Sequence, residues 1–284
     1  MKNNLTEKDI ENLNKWAEKY DIEELKIKDK EKIFNLEELH ISNDNLTELP
    51  KEIGILTNLK SLDIRTNNLT KLPKKIGNLI NLEELHITSH NLTELPKEIG
   101  NLTNLKSLII RCFNLKELPK EIFNLINLEE LHIISTSLTE LPKEIGNLTN
   151  LKSLHIRSNN LTKLPKKIGN LINLEELHIS SDNLTELPKE IGILTNLKSL
   201  ICSFNLNELP KEIFNLINLE KLRIISNNLE ISPDGIGKLI NLEKLSIDIN
   251  IINENFNFKR LPIEEIGKLN NLKDLSIRIR KEEK

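Results

Sequence analysis

The sequence of 284 residues is poor in the residue types that mark several functional classes. It has two cysteines, nine glycines, one tryptophan and one tyrosine, and aromatic residues make up only 3% of it. Two cysteines cannot build the network of bridges on which a disulfide-stabilised scaffold depends. The sequence also lacks a glycine-rich phosphate-binding loop and a nucleophile motif, so we expect no enzyme and no cofactor.

Charge and hydropathy argue against two further classes of partner. Lys plus Arg number 40 and Asp plus Glu number 43, a balance that gives no case for binding nucleic acid or an anionic membrane. No apolar run is long enough to cross a bilayer. The first residues, MKNNLTEKDIENL, lack the apolar run of a signal peptide, so we also expect no export signal.

What the sequence has in abundance is one repeated pattern of 23 residues. A typical copy, LEELHITSHNLTELPKEIGNLTN over residues 82–104, has apolar residues at positions 1, 4, 6, 11, 14, 18 and 21. The alternation around positions 4 and 6 predicts a short strand. Proline at position 15 favours the first turn of a helix, so a short helical segment should follow it and end at the glycine of position 19.

The repeat resembles the leucine-rich repeat family, specifically its 23-residue Leu-Pro-x-x-Ile subtype of Ras-suppressor-like, plant intracellular Ras-group and bacterial proteins. The resemblance covers roughly residue 36 to the C-terminus. It implies an α/β fold, a right-handed horseshoe-shaped solenoid with a parallel sheet on the concave face and short helical or extended segments on the convex face. It also implies a scaffold that binds another protein on the concave face.

The chain is predicted to divide into an N-terminal capping helix over residues 1–21 and a leucine-rich repeat domain over residues 22–284. Thr6 and Asp9 have the spacing of a weak capping box, and Leu5 with Ile10 suits a hydrophobic staple. We expect the helix to cover the open end of the first repeat. The following apolar residues predict an irregular first strand at Ile22, Leu25 and Ile27.

Ten full repeats and a truncated eleventh follow. They begin at Leu36, Leu59, Leu82, Leu105, Leu128, Leu151, Leu174, Leu197, Leu219, Leu242 and Leu272. Residues 36–127 and 128–218 match almost line by line, which indicates duplication of a four-repeat block with one residue lost from the repeat at Leu197. An insertion in the repeat at Leu242 contains Phe256 and Phe258. We expect it to adapt the terminal repeats, with contact to a ligand as the alternative.

Two kinds of residue recur for structural reasons. Position 2 alternates in charge through Glu37, Lys60, Glu83, Lys106, Glu129, Lys152, Glu175 and Lys198. Stacked parallel strands bring equivalent positions to about 4.8 Å, so identical repeats would have stacked like charges. The family's ladder of asparagines at position 9 is broken by Asp44, His90, Phe113, Thr136 and Asp182. We expect the asparagines at position 23 to share its role.

The two cysteines favour a reducing compartment. Cys112 and Cys202 lie four repeats apart, on the order of 20 Å at about 4.8 Å per strand, which is too far for a disulfide. Asn-Leu-Thr recurs, for example at Asn45 and Asn68, and without an export signal we interpret it as turn chemistry rather than as a glycosylation acceptor. We therefore expect a cytoplasmic protein.

The resemblance implies that positions 3, 5, 7 and 8 of each strand face the concave surface. Position 5 is rich in histidine and reads His40, Asp63, His86, Ile109, His132, His155, His178, Ile201 and Arg223. Stacked imidazoles near Glu130 and Glu176 suit Zn²⁺ or Ni²⁺, and they would gain charge below about pH 6.5. The favoured interpretation is a duplicated solvent-exposed position, so we predict no metal site.

Two further features of this surface predict partner binding. Position 7 carries Arg65, Arg111 and Arg157 on alternate repeats, either as part of a solvated face or as anchors for an acidic partner. Apolar residues also occupy positions where polar ones are expected, in two diagonal pairs: Ile109 with Ile134, and Ile201 with Ile225, which Phe204 and Ile249 extend. Exposed apolar clusters mark interaction sites, unless a shifted strand register buries these side chains.

The predicted function is therefore a non-enzymatic scaffold for protein–protein interaction. Cys112 falls at position 8 and is expected to be exposed, but no base or cleft accompanies it. Two alternatives are a metal- or pH-responsive binder that uses the histidines and a surface-exposed, adhesin-like protein. The chain closes on a strand predicted over residues 275–279, which has no helix after it and which charge or a partner should shield.

Overall fold

The computed structural model describes residues 6–27, 29–206, 208–227, 235–251 and 263–281. Within it the chain forms two compact units, Met1–Ser135 and Thr136–Lys284. Leu5 of the proposed staple and the phenylalanines of the insertion, Phe256 and Phe258, lie outside the described residues.

The first unit begins with a helix, α1 (Glu7–Tyr20), that covers one end of the repeats. Thr6 and Asp9 form the capping box: the Thr6 hydroxyl accepts a hydrogen bond from the Asp9 amide, and the Asp9 carboxylate accepts one from the Thr6 amide. Trp16 Nε1 donates to the carbonyl of Glu48 at 3.2 Å, which ties the helix to the first repeat. Its inner face is buried through Ile10, Leu13, Ala17 and Tyr20.

The segment after α1 is helical, so the prediction of an irregular first strand there is wrong. It forms a 3-10 helix, Glu23–Leu25, and a short helix, α2 (Lys30–Phe34), whose N-terminal amides donate to the Asp29 carboxylate. Ile22 and Leu25 are buried, whereas Ile27, the third residue of the predicted strand, is exposed. Their spacing of three residues puts them on one side of a 3-10 turn, because that helix has three residues per turn.

Five strands complete the first unit: β1 (Glu38–Ser42), β2 (Ser61–Arg65), β3 (Glu84–Ser89), β4 (Ser107–Cys112) and β5 (Glu130–Ile134). They pair in parallel, in chain order, and equivalent positions lie opposite one another, as Leu39 and Leu62 do. The leucine of position 4 and the isoleucine of position 6 are buried in every one of these strands.

The second unit repeats this arrangement with six strands: β6 (Ser153–Arg157), β7 (Glu176–Ser180), β8 (Ser199–Ser203), β9 (Lys221–Ser226), β10 (Lys244–Ile251) and β11 (Asp274–Lys281). A one-turn helix, α3 (Ile263–Ile266), precedes β11. Parallel strands in chain order, one for each repeat, confirm the predicted leucine-rich repeat fold. Leu275 of β11 is 49% exposed, whereas its counterpart Leu245 on β10 is 1% exposed, because no described strand pairs with the outer edge of β11.

The segment after each position-15 proline forms a short 3-10 helix. These helices span Lys51–Ile55, Lys74–Asn78, Lys97–Asn101, Lys120–Asn124, Lys143–Asn147, Lys166–Asn170, Lys189–Ile193 and Lys211–Asn215, and a shorter one spans Ile236–Lys238. The helical segments are thus confirmed, but where position 19 is glycine it lies inside the helix rather than ending it. Its role is steric: a Cβ on Gly77 would lie 2.3 Å from the carbonyl oxygen of Glu98 in the next repeat.

Phenylalanine replaces this glycine at two places, and both side chains are buried. Phe123 and Phe214 therefore pack into the interior rather than forming exposed apolar spots. The residue of the next repeat that faces Phe214 is Gly235, which has no side chain and so leaves room for the ring. Gly235 has φ of 131°, and a Cβ there would lie 2.4 Å from the Phe214 ring. A large residue on one repeat is thus matched by the loss of a side chain on the next.

Ladders of side chains join successive repeats, as the sequence predicted. Lysine and glutamate at position 2 form ion pairs, for example Lys60 with Glu37 at 2.8 Å and Lys106 with Glu83 at 2.6 Å. These pairs are exposed, so solvent screens their attraction and each contributes little to stability. The amides of position 23 donate to a carbonyl of the preceding repeat, or of α2 in the case of Asn58, at 2.8–3.0 Å, from Asn58, Asn81, Asn104, Asn127, Asn173, Asn196, Asn218, Asn241 and Asn271.

The close approach at position 19 predicts that Gly77→Ala destabilises the fold. The new methyl group would collide with backbone of the next repeat, and overpacking of this kind costs about 1–3 kcal/mol. Urea unfolding should show this loss. Gly267→Ala is the control, because its Cβ would lie 3.3 Å or more from its neighbours. Equal stability of Gly77→Ala and wild type would contradict the steric interpretation.

Candidate functional site

Strand alternation decides which side chains are available for binding. Positions 4, 6 and 8 point into the core, and positions 3, 5 and 7 point to the opposite side of the sheet, which we call the exposed sheet face. Position 8 was expected on that face and is instead buried, because side chains alternate with a period of two along a strand. The site therefore has three positions in each repeat, not four.

Buried hydroxyl groups occupy position 8 in six of the repeats. Each donates a hydrogen bond of 2.6–3.0 Å to the carbonyl of a leucine in the preceding repeat: Thr66 to Leu46, Ser89 to Leu69, Ser135 to Leu115, Ser158 to Leu138, Ser181 to Leu161 and Ser226 to Leu206. A hydroxyl is the smallest group that satisfies such a carbonyl inside an apolar core. These side chains hold the strand ends in place and do not face a partner.

Three predicted surface residues are corrected by this alternation. Phe204 and Ile249 are buried at position 8 and cannot extend the apolar pair beside them. Cys112, at the same position, is also buried rather than exposed. Burial raises the pKa of Cys112 and of Cys202 to about 12, so neither sulfur is a thiolate at neutral pH.

The other site residues of the first unit lie on the exposed sheet face. His40, Asp63 and Arg65 form a linked group, with His40 Nδ1 3.2 Å and Arg65 Nη2 2.8 Å from the same oxygen of Asp63. His86 and His132 are half-buried on β3 and β5, and Arg111 is exposed on β4. Because Arg65 is engaged with Asp63, Arg111 is the better candidate anchor in this unit.

The second unit brings two of its histidines together. The rings of His155 and His178 lie 5.3 Å apart, edge to face, on adjacent strands, and Glu176 Oε2 is 3.6 Å from His155 Nε2. Partial burial lowers the pKa of His178, and the charges of His155, Lys221, Arg223 and Arg157 lower it further. Among the described residues, no three His, Cys, Asp or Glu side chains converge as metal ligands.

The diagonal isoleucine pairs also lie on the exposed sheet face. Ile109 is opposite His132, and Ile134 is opposite Arg111, so the two isoleucines sit diagonally on β4 and β5. Ile201 and Ile225 have the same relation on β8 and β9. All four are half-buried.

Strand register does not shift around the second pair, contrary to the alternative interpretation. Leu200 pairs with Leu177 on one side and with Leu222 on the other, as in the regular repeats. The chain is one residue shorter after the strand. Leu206 there accepts the hydrogen bond from the Ser226 hydroxyl, as the leucine of position 11 does in the other repeats.

A row of exposed isoleucines was missed by the sequence analysis. It occupies position 22, in the turn before a strand, and its members are between 51% and 59% exposed: Ile80, Ile126, Ile172, Ile217 and Ile240. The available signal was the alternation of threonine and isoleucine at this position from one repeat to the next. Most members are two repeats apart, so side chains of intervening repeats separate them.

The structure also bears on membrane association. Among the described residues, no helix combines the length and the apolar character that a membrane span needs.

Comparison with known proteins matches the repeats along nearly the whole chain. A family model described as a leucine-rich repeat region matches residues 12–113, 74–135, 97–184 and 166–284. A search of curated proteins gives no significant match.

Several solved structures are similar to this one. A leucine-rich repeat protein of Leptospira interrogans is 34% identical, with a TM-score of 0.72, and the match covers 91% of this chain and 71% of that one. An internalin of Listeria monocytogenes is 18% identical, with a TM-score of 0.59 and coverage of 97% and 90%. The leucine-rich repeat domain of the type III effector XopL is 24% identical, with a TM-score of 0.56 and coverage of 98% and 97%.

The pair His155 and His178 predicts a pH-dependent stability. Because the pKa of His178 is lower in the folded protein than in the unfolded chain, the unfolded chain binds protons more readily. The free energy of unfolding should therefore fall as the pH drops through 6.5, the ordinary value for histidine, and continue to fall until His178 is protonated in the fold. Urea unfolding at about pH 7.5 and about pH 5 should show a smaller loss for His178→Gln than for wild type.

A histidine titration by NMR provides the control. His155→Gln should raise the pKa of His178, because it removes a neighbouring positive charge. An unchanged pKa in this variant, or an equal loss of stability in wild type and His178→Gln, would contradict the prediction.

Proposed function

The chain belongs to the leucine-rich repeat family, and on this premise we propose that its exposed sheet face binds a protein partner without catalysing a reaction. The leucine-rich repeat fold is a general scaffold for protein interaction. Family membership alone leaves open which surface of the chain is used and what it binds.

The observation that carries the proposal is a pair of half-buried isoleucines on the otherwise polar sheet face of the first unit. Ile109 and Ile134 lie diagonally across β4 and β5, with Arg111 in register with Ile134. An apolar centre bordered by arginine is typical of interface hot spots, because the apolar side chains lose water on binding and the guanidinium donates hydrogen bonds. The core does not need these isoleucines, since positions 4 and 6 already fill it.

The proposed interface is held in shape before a partner arrives. Strands β4 and β5 are fixed by backbone pairing, by the buried hydroxyl of Ser135 after β5 and by the amides of position 23 before each strand. Binding to such a surface orders few additional groups, so little conformational entropy opposes association. This supports recognition by a preformed surface rather than by folding on contact.

The chemistry of the two cysteines supports a binding role over a catalytic one. Both are buried, and burial raises the pKa of each to about 12, so a thiolate nucleophile is not available at neutral pH. One observation favours the alternative of a pH-responsive binder: the rings of His155 and His178 lie close together. Protonation of both rings would place two positive charges side by side on the same face.

We expect a concentrated change on the exposed sheet face to abolish partner capture. The variant combines Ile109→Asp and Ile134→Asp with Arg111→Glu and Arg157→Glu, and leaves Arg65 intact because it pairs with Asp63. Immobilised wild type and variant are incubated with native lysate, and bound proteins are quantified by mass spectrometry. Recovery of the partner should fall about tenfold or more, as expected when several hot-spot residues are lost.

The control makes equivalent changes away from this face, with Ile80→Asp, Ile172→Asp, Lys97→Glu and Lys166→Glu. Circular dichroism establishes that both variants fold. The control should capture the partner as wild type does. If instead the control loses the partner and the sheet-face variant keeps it, the interface lies at the row of exposed isoleucines and the proposal is wrong.

We propose the cytoplasm as the place of this interaction, with the surface-exposed, adhesin-like protein as the alternative. Labelling intact cells with a membrane-impermeant amine reagent distinguishes the two. The protein should be labelled only after lysis, although it carries many exposed lysines. Labelling in intact cells would favour the alternative.

A further inference from the structure

The exposed sheet face of the second unit changes its chemistry at β9. Position 3 carries serine or glutamate on β6, β7 and β8, and lysine on the next two strands, in the order Ser153, Glu176, Ser199, Lys221 and Lys244. Position 5 changes in the same place, from histidine and isoleucine to Arg223. Cations are thus gathered on adjacent strands of a chain whose net charge is −3.

These cations surround a cavity of about 360 Å³ on β9, β10 and β11. Its floor is made by Ser246 and Ser276, which are in register at position 5 of neighbouring strands and leave space because their side chains are short. Lys221, Arg223, Lys244 and Arg278 stand around this floor. One carboxylate, that of Asp274, also lines the cavity.

The cations of the cavity are poorly compensated. Arg223 Nη2 lies 3.7 Å from Asp248 Oδ2, and within the described part of the chain Lys221, Lys244 and Arg278 have no ion pair. Position-2 lysines differ, since Lys60, Lys106 and Lys198 each pair with a glutamate at 2.6–2.8 Å. Four cations against two carboxylates, Asp248 and Asp274, leave an excess of positive charge around one cavity.

Asp248 lies beside the cavity without lining it. Asp248 is only 9% exposed, and its Oδ1 atom has no hydrogen-bond partner among the described residues. It is in register with Arg278 and close to Arg223, so it lies between two of the cations of the cavity. Asp248 therefore offsets part of the charge of Arg223 and Arg278, whereas Lys221 and Lys244 keep their charge without an ion pair in the described part of the chain.

An apolar surface adjoins the cavity. Ile201 on β8 is in register with Arg223, and Ile225 follows Arg223 by two residues on the same face of β9. The second isoleucine pair and the basic cavity therefore share Arg223 as their common border. A ligand that covers both must extend over four strands, about 15 Å at the usual spacing, which is more than a single small anion spans.

We propose that Lys221, Arg223, Lys244 and Arg278 bind an acidic peptide segment of a protein partner, and that an apolar side chain of the same segment packs on Ile201 and Ile225. The inference rests on the proposed function and specifies the partner's chemistry. Guanidinium and ammonium groups bind carboxylates through charge-assisted hydrogen bonds, and the short side chains of Ser246 and Ser276 leave room for the segment between them. The excess positive charge selects against basic segments.

The test uses a random dodecapeptide library displayed on phage and selected on the full-length protein. Recovered peptides should be enriched in Asp and Glu next to Leu, Ile, Val or Phe, relative to the input library. Synthetic copies should bind a variant with Lys221→Gln, Arg223→Gln, Lys244→Gln and Arg278→Gln about tenfold or more weakly than wild type. Their affinity for wild type should also fall as the salt concentration rises.

A matched control removes the same charge elsewhere, with Lys60→Gln, Lys106→Gln, Lys163→Gln and Lys198→Gln, all of which are lysines with ion-paired glutamates. It should bind the peptides as wild type does, and circular dichroism checks the fold of both variants. Competition with inorganic phosphate separates a segment site from a simple anion site. Complete displacement by phosphate at a concentration near the peptide's own dissociation constant would overturn the inference.

The binding results distinguish a failure of this inference from a failure of the proposed function. Recovered peptides without acidic enrichment, or peptides that bind the cavity variant as well as wild type, overturn this inference. If those peptides are instead lost by the variant at Ile109, Ile134, Arg111 and Arg157, the exposed sheet face still binds partners. Peptides that depend on neither variant would count against both proposals.

Discussion

Parallel pairing in steps of one repeat is the constraint on which the rest of this structure depends. It places every residue of a strand beside its counterpart in the next repeat, about 4.8 Å away. A side chain that can bond to its own copy or to the adjacent backbone then stabilises the whole unit, as the position-8 hydroxyls and the position-23 amides do. A side chain that repels its copy would destabilise the whole unit, which is why position 2 alternates in charge.

The same constraint separates structural residues from candidate functional ones. Positions 4, 6 and 8 are committed to the core, and position 19 is restricted by the backbone of the next repeat. On the strands only positions 3, 5 and 7 can vary without disturbing the stacking. Variation there gives the first unit an isoleucine pair with arginine beside it, and gives the second unit a basic cavity next to another isoleucine pair.

Much of the fold could be predicted from the sequence because its signals are repeated many times. The strands, the 3-10 helices after proline and the asparagine ladder each rest on several copies of one pattern. Segments that occur once were less predictable: Leu25 and Ile27 have the spacing of a strand, but Ile27 is exposed and Leu25 is buried with Ile22 on one side of a 3-10 turn. The orientation of position 8 was taken from the family resemblance, whereas strict alternation would have placed Phe204 and Cys112 in the core.

The candidate site was less accessible to prediction than the fold. The diagonal isoleucine pairs could be found because they break a polar pattern. The basic cavity could not, since its depth comes from the short side chains of Ser246 and Ser276 on different strands, and its charge from side chains 57 residues apart in sequence, Lys221 and Arg278. The ion pair of Asp63 with His40 and the burial of Asp248 likewise depend on residues of adjacent strands, which are far apart in the sequence.

The ion pairs of position 2 also restrict how such a chain can grow. Inserting or deleting one repeat would bring two glutamates or two lysines together, whereas adding repeats in even numbers preserves the alternation. The duplicated block contains four repeats, an even number, and its two copies join without a change of phase in the sequence. Beyond the second copy Glu220 and Glu243 are neighbours, and alternation resumes only where Lys273 pairs with Glu243. The alternation of charge at position 2 therefore favours growth of the chain by even numbers of repeats.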